Sequence, residues 1–186
     1  MKKKIKVGII GGGTIGTALA QAVVTDLKAF AQLKFLCEKH KEKAAALQEK
    51  YKFYARLVPL TELVRRSDLI IEAASPKVAA QVVKLACEWN KKVLIMSVGG
   101  LLQPPVTELL KKNRSRIFCP SGAITGVDGV LAAANGKIRK VRLITRKPPE
   151  ALMGAAYFLK KRCPVLKTFS EEKCIFRGAA IEAIEH

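Results

Sequence analysis

Ile5-Lys6-Val7-Gly8-Ile9-Ile10-Gly11-Gly12-Gly13-Thr14-Ile15-Gly16 is a short apolar run that ends in glycines. Apolar residues at helical spacing follow at once: Ile15, Leu19, Ala22, Val23 and Leu27. The stretch predicts a strand, a tight turn and a helix over Thr14 to Lys28. Its glycines fall in a G-x-G-x-x-G pattern whose parts have separate physical roles: Gly11 permits the turn, Gly13 lets a pyrophosphate approach the backbone, and Gly16 lets helix and strand pack closely. The amino end of the helix offers unpaired N–H groups and a partial positive charge to phosphates. Gly12, Thr14 and Ile15 complete the candidate phosphate-binding turn.

Working outward, the alternation continues. Leu33 to Cys37 reads as a second strand and His40 to Tyr51 as an Ala- and Lys-rich helix. Pro59 to Arg66 is a short helix, Asp68 to Ala73 a strand, and Pro76 to Asn90 a helix opened by proline. Val93 to Met96 is a fully apolar strand, Val106 to Lys112 a helix, and Arg116 to Cys119 a last short strand. Strands apolar on both faces, alternating with helices, predict a Rossmann-type doubly wound parallel sheet. The rhythm changes near Pro120, so residues 1–120 are expected to form the dinucleotide-binding domain and 121–186 a second, smaller and incomplete α+β domain. There a Gly- and Ala-rich segment (Gly122 to Gly136) precedes strand candidates at Ile138 to Thr145 and Cys174 to Phe176, and helices near Leu152 to Lys161 and from Gly178.

The second strand ends at Glu38, where dinucleotide-binding folds place an acidic residue that accepts hydrogen bonds from the ribose hydroxyls. Glycine turn and acidic residue together point to NAD or NADP. Glu38 disfavours a 2′-phosphate, whereas the neighbouring Lys39 and Lys41 would attract one, so both cofactors stay open. Two further loops, Ala73-Ala74-Ser75-Pro76 and Ser97-Val98-Gly99-Gly100, follow strands of the same sheet, at the edge where such sheets bind ligands. Ala74, Ser75 and Ser97 are therefore candidate cofactor contacts.

Bulk properties bound the partners. The 186 residues carry 34 Lys and Arg against 15 Asp and Glu, a net charge of +19. The basic residues fall mostly in pairs (Lys91-Lys92, Lys111-Lys112, Arg139-Lys140) without the interleaved aromatics of single-strand binders, which argues for a solvated basic surface and against nucleic acid. No stretch reaches the ~18 uncharged apolar residues of a membrane span, and the basic start leads straight into the glycine turn with no cleavage-site pattern, so a cytoplasmic protein is expected. Five widely spread cysteines and two histidines offer no metal-binding spacing, so no metal and reduced, mostly buried thiols are expected.

The glycine turn, Glu72-Ala73-Ala74-Ser75-Pro76, Met96-Ser97-Val98-Gly99, Pro120-Ser121-Gly122-Ala123-Ile124 with Gly126 and Asp128-Gly129, and Thr145-Arg146-Lys147-Pro148-Pro149 occur in this order along the chain. Together they resemble the L-aspartate dehydrogenase family over essentially the whole sequence. The resemblance implies a homodimeric pyridine-nucleotide enzyme that oxidises L-aspartate to iminoaspartate in a route toward NAD biosynthesis, with Ala123 at the cofactor. Arg146 or Lys147 would suit a substrate carboxylate. Family members continue past the segment resembling Phe176 to Ala183 into one that carries a catalytic histidine. That histidine has no counterpart here; His40 reads as a surface residue, and no catalytic residue is assigned. If these 186 residues are the full protein, slow or absent aspartate oxidation is expected; the alternative is a fragment of a longer gene product. The alternatives are a non-catalytic NAD(H)-binding module and a related dehydrogenase acting on another amino acid or a semialdehyde.

Overall fold

The structure is a computed structural model that describes residues 3–102, 104–121, 126–152, 171–179 and 182. The chain divides into two compact units, Met1–Ile124 and Thr125–His186. In the first, β1 (Ile5–Ile10), β2 (Ala31–Cys37), β3 (Arg56–Leu57), β4 (Leu69–Glu72), β5 (Lys92–Ile95) and β6 (Ile117–Phe118) form one sheet in the order β3-β2-β1-β4-β5-β6. Every pairing is parallel. The order reverses between β1 and β4, and a crevice at the carboxyl ends of the strands opens there.

Helices cover both faces. Val7 and Ile9 of β1, Leu33 and Leu36 of β2 and Ile71 of β4 face Ala20 and Val23 of α1 (Thr14–Val24) and Leu47 of α2 (Lys41–Lys50). On the other face, Ile10, Phe35, Ile70, Val93 and Ile95 meet Leu63 and Val64 of α3 (Leu60–Arg66), Ala79, Val82, Val83 and Ala86 of α4 (Pro76–Glu88) and Val106 of α5 (Pro104–Lys112). Both cores consist of aliphatic side chains for which burial is the main driving force. A register shift between Val7 and Gly8 leaves Lys34 as an extra residue in β2, so Leu33 and Leu36 can share a face.

Several expectations need correction. α1 stops at Val24 instead of running to Lys28: the Thr25 hydroxyl donates back to the Gln21 carbonyl, Asp26 and Leu27 both donate to the Ala22 carbonyl, and Leu27 lies exposed. β3 was not legible because it has only two residues, both exposed, and exists by pairing with Phe35 and Leu36. Val98–Leu102 forms a 3-10 turn.

In the second unit, the Gly- and Ala-rich segment contains a helix, α6 (Val127–Ala133). The expected strands at Ile138 to Thr145 and Cys174 to Phe176 are irregular chain. A strand needs a ladder partner, and Val141, Leu143 and Ile144 are exposed with none among the described residues. The helices expected near Leu152 to Lys161 and from Gly178 lie almost wholly outside the described residues. None of the four described cysteines is fully buried: Cys37 and Cys87 are half-buried, Cys119 and Cys174 exposed. They are free thiols, and burial pushes Cys37, Cys87 and Cys119 up from the ordinary thiol range, which keeps them weakly reactive. No helix among the described residues is long and apolar enough to cross a membrane, and no group of His, Cys, Asp or Glu among them would hold a metal.

Leu63 is wholly buried between α3 and the sheet, whereas Arg65 on the same helix is exposed. Leu63→Ala is expected to destabilise the fold by about 2–5 kcal/mol. Arg65→Ala should change stability by about 0.5 kcal/mol or less. Denaturant unfolding followed by circular dichroism would separate the two.

Candidate dinucleotide site

The glycine turn is shaped by two approaches that admit no side chain. Gly11 has φ +94°, a left-handed conformation, and a Cβ there would lie 2.6 Å from the Ala73 carbonyl oxygen. A Cβ on Gly16 would strike the Gly11 carbonyl oxygen, so the first turn of α1 can rest on the glycine loop only with hydrogen at that position. Gly11 also donates from its backbone to the Cys37 carbonyl at 2.9 Å, which ties the turn to the end of β2.

Glu38 completes that tie. Its Oε2 accepts the Gly12 N–H at 2.6 Å and its Oε1 the His40 N–H at 3.1 Å. Partial burial by itself would raise the carboxyl. The N–H groups of His40, Gly12 and Lys39 and the nearby His40 side chain outweigh it, and the group is held below the usual carboxylate range. Thr17 adds a hydroxyl bond to the Gly12 carbonyl at 3.3 Å.

The turn has room for a phosphate. A Cβ on Gly13 would meet nothing within 4 Å. Gly13 caps α1 without a side-chain hydrogen bond, and no acidic residue sits in the helix's first turn. Thr14 and Ile15 are exposed beside it. The amino end of an 11-residue helix, open space and a flanking acidic side chain fit the pyrophosphate and ribose of a dinucleotide.

Opposite the turn stand the loops after β4 and β5. Ala74 borders Gly11: a Cβ on Gly11 would lie 2.9 Å from the Ala74 Cα. Ser75 caps α4 by accepting the Val78 N–H at 3.4 Å, and Pro76 takes the opening helical position. Between the loops lies Glu72, wholly buried at the end of β4. Its carboxylate accepts the Ala74 N–H (2.8 Å), the Ser75 N–H (3.0 Å) and both the N–H (3.1 Å) and hydroxyl (3.0 Å) of Ser97. Glu72 was not among the candidate site residues; its signal in the sequence is a lone acidic residue closing a strand that is apolar on both faces.

Gly11, Gly12, Gly13, Thr14, Ile15, Gly16 and Glu38 are thus brought into one crevice, with Ala74 against it and Ser75 and Ser97 joined through Glu72. Ala123 lies outside the described residues. His40 is at the surface, its ring 3.2 Å from Glu42. In the second unit Arg146, offered as a partner for a substrate carboxylate, instead donates to Glu172 at 2.6 Å in an exposed ion pair.

A parallel sheet of this order, with its glycine turn and acidic partner at the switch point, defines the nucleotide-binding half of an NAD(P)-dependent oxidoreductase. Residues 6–99 match the family described as NADP oxidoreductase, coenzyme F420-dependent, and residues 128–186 match the aspartate dehydrogenase C-terminal family. The L-aspartate dehydrogenase of Methanosarcina mazei is 33% identical over 97% of this chain and 68% of its own length. That of Methanothermobacter thermautotrophicus is 36% identical over 96% of this chain and 65% of its own length. The chain belongs to the L-aspartate dehydrogenase family. Among solved structures, apo scyllo-inositol dehydrogenase from Lactobacillus casei superposes with TM-score 0.58 at 12% identity, covering 73% of this chain and 42% of that one. Myo-inositol dehydrogenase from the same organism, in complex with NAD(H), gives TM-score 0.53 at 17% identity, covering 72% and 42%. These two share the fold.

Gly13→Ala separates folding from binding, because the added methyl meets open space in the protein and fills the phosphate approach. The variant should unfold at the wild-type temperature and bind NADH about tenfold more weakly or worse, roughly 1.4 kcal/mol. Glu38 should give the fold an acid limb. Its carboxyl is lower in the folded chain than in the unfolded one, so its contribution is present above the unfolded carboxylate range and lost as pH falls through the folded value. Melting temperatures recorded from pH 7 down to 3 should fall less steeply for Glu38→Gln than for the wild type.

Proposed function

We propose that this chain is an NAD(P)-dependent L-aspartate dehydrogenase acting on a CH–NH2 group. L-Aspartate and NAD(P)+ give iminoaspartate, NAD(P)H and a proton, and water then converts iminoaspartate to oxaloacetate and ammonia. The observation that carries this reading is the similarity to L-aspartate dehydrogenases along 97% of the chain, in a protein whose glycine turn is open to a pyrophosphate.

When bound, the nicotinamide supplies the acceptor for the hydride leaving the substrate α-carbon, chemistry that belongs to the cofactor. The chain's own residues bind and orient. The N–H groups at the start of α1, from Thr14 to Gly16, hold the pyrophosphate across Gly12 and Gly13. Glu38 presents its remaining lone pairs to the ribose hydroxyls and disfavours a 2′-phosphate, while the exposed Lys39 and Lys41 attract one. The loop of Ala74 and Ser75 and that of Ser97 would line the cofactor site on the side facing the glycine turn, and the family resemblance implies a further cofactor contact at Ala123. Residues 1–120 form the dinucleotide-binding domain and 121–186 the substrate and dimerisation domain of a cytoplasmic homodimer. The activity belongs to a route toward NAD biosynthesis, and the basic surface favours a dicarboxylate substrate.

Fluorescence titration with NADH and NADPH, followed by assays with L-aspartate and each oxidised cofactor, tests the proposal. Saturable binding and L-aspartate-dependent reduction support it. Binding without turnover would identify a nucleotide-binding module, turnover on another amino acid or a semialdehyde a related dehydrogenase, and absence of binding would overturn the site itself.

A further inference from the structure

The four hydrogen bonds on Glu72 have a consequence for the crevice. Glu72 closes β4 in register with Ile10 of β1 and Ile95 of β5, so its backbone is fixed by the sheet on both sides. The Ala73 N–H donates to the Ile10 carbonyl and the Met96 N–H to the Glu72 carbonyl, both at 2.9 Å. Beyond these points both chains leave the ladder, and their next donors, Ala74 N–H, Ser75 N–H, Ser97 N–H and the Ser97 hydroxyl, all converge on one buried side chain. The loop after β4 touches the glycine turn at Gly11, and the turn after Ser97 packs on α4, where a Cβ on Gly100 would strike the Pro76 carbonyl.

A carboxylate is a costly group to bury, and an apolar residue would fill the end of this strand at lower cost. What an apolar residue lacks is the capacity to accept from two loops at once. We propose that Glu72 is a positioning residue for the dinucleotide site: it locks the loops after β4 and β5 into one wall facing the glycine turn. The wall's N–H groups at Ala74, Ser75 and Ser97, and the Ser97 hydroxyl, serve Glu72 rather than the cofactor. Ser97 therefore acts on binding through Glu72. The inference rests on the proposed dinucleotide site and adds to it a residue that never touches the ligand.

The test combines amide hydrogen exchange with NADH titration on the full chain, for the wild type, Glu72→Gln, Ser97→Ala and Ser97→Thr. Glutamine keeps the volume and one acceptor but turns an NH2 toward at least one donor. In Glu72→Gln the amides of Ala74, Ser75 and Ser97 should exchange about tenfold faster or more, as for a lost buried hydrogen bond, while Ile9 and Ile10 in β1 stay protected. NADH affinity should fall by a similar factor. Ser97→Ala should reproduce part of both effects, and Ser97→Thr, which keeps the hydroxyl, should restore them. If Glu72→Gln does not fold, the serine pair carries the test alone.

Unchanged exchange at the three amides would overturn the inference, as would unchanged NADH affinity alongside faster exchange. So would loss of protection spread evenly through β1 and α1, the mark of a merely structural role. Failure of the wild type to bind NADH would overturn the site reading and with it Glu72's role toward a dinucleotide. Wild-type binding with equal binding by Glu72→Gln would overturn this inference alone.

Discussion

The β1–α1 turn allows no side chain at two points, one facing the residue after β4 and one facing the turn's own backbone. A Cβ on Gly11 would meet the backbone of Ala73, and one on Gly16 the carbonyl of Gly11. Backbone cannot be pushed aside as a flexible side chain can, so this contact fixes where α1 begins relative to the sheet. The direction of the helix, the opening in front of Gly13 and the distance to Glu38 follow from it. The crevice lies where the sheet order reverses, because α1 and the α4 crossover leave β1 and β4 toward opposite faces.

Two carboxylates hold the walls of this crevice and work in different surroundings. Glu38 is partly exposed, bonded to Gly12 and His40, with lone pairs left for a ribose. Glu72 is wholly buried and saturated by donors from two loops. The first is placed to meet a ligand and the second to hold protein. Both draw on the same property, a short side chain that accepts several N–H groups where the regular ladder ends.

The chain is strongly basic, and a small part of that charge, five of its 34 Lys and Arg, stands in the last turns of the described helices: Lys50 on α2, Arg65 and Arg66 on α3, and Lys111 and Lys112 on α5. There it complements the helix dipole, which accounts for part of the pairwise pattern without a nucleic-acid partner.

The strands and helices with aliphatic repeats were legible in the sequence to within a few residues, because an apolar face of period two or 3.6 has one way to be buried. So was the glycine turn, since its spacing answers to a steric need that no other residue meets. β3 was not legible, because two exposed residues carry no pattern and become a strand only through their neighbours in β2. The reverse error arose at Ile138 to Thr145, whose alternating character resembles a strand although no partner strand stands beside it among the described residues. α1 ended early against a continuing apolar stripe: the Leu27 N–H reaches five residues back to the Ala22 carbonyl, and Leu27 is left exposed.

Sequence by itself therefore determined the parallel sheet, the family and the candidate loops of the site, Gly11 to Gly16 with Glu38 on one side and Ala74, Ser75 and Ser97 on the other. Only the tertiary structure decided what joins the loops of that second side. Glu72 is one acidic letter at the end of a strand until the sheet brings the segment after β5, more than twenty residues further on, against the same carboxylate at 3.0 and 3.1 Å. Local periodicity records which face of an element is buried. It does not record which donors converge on a side chain, because convergence is a property of strand neighbours and not of neighbours in the chain.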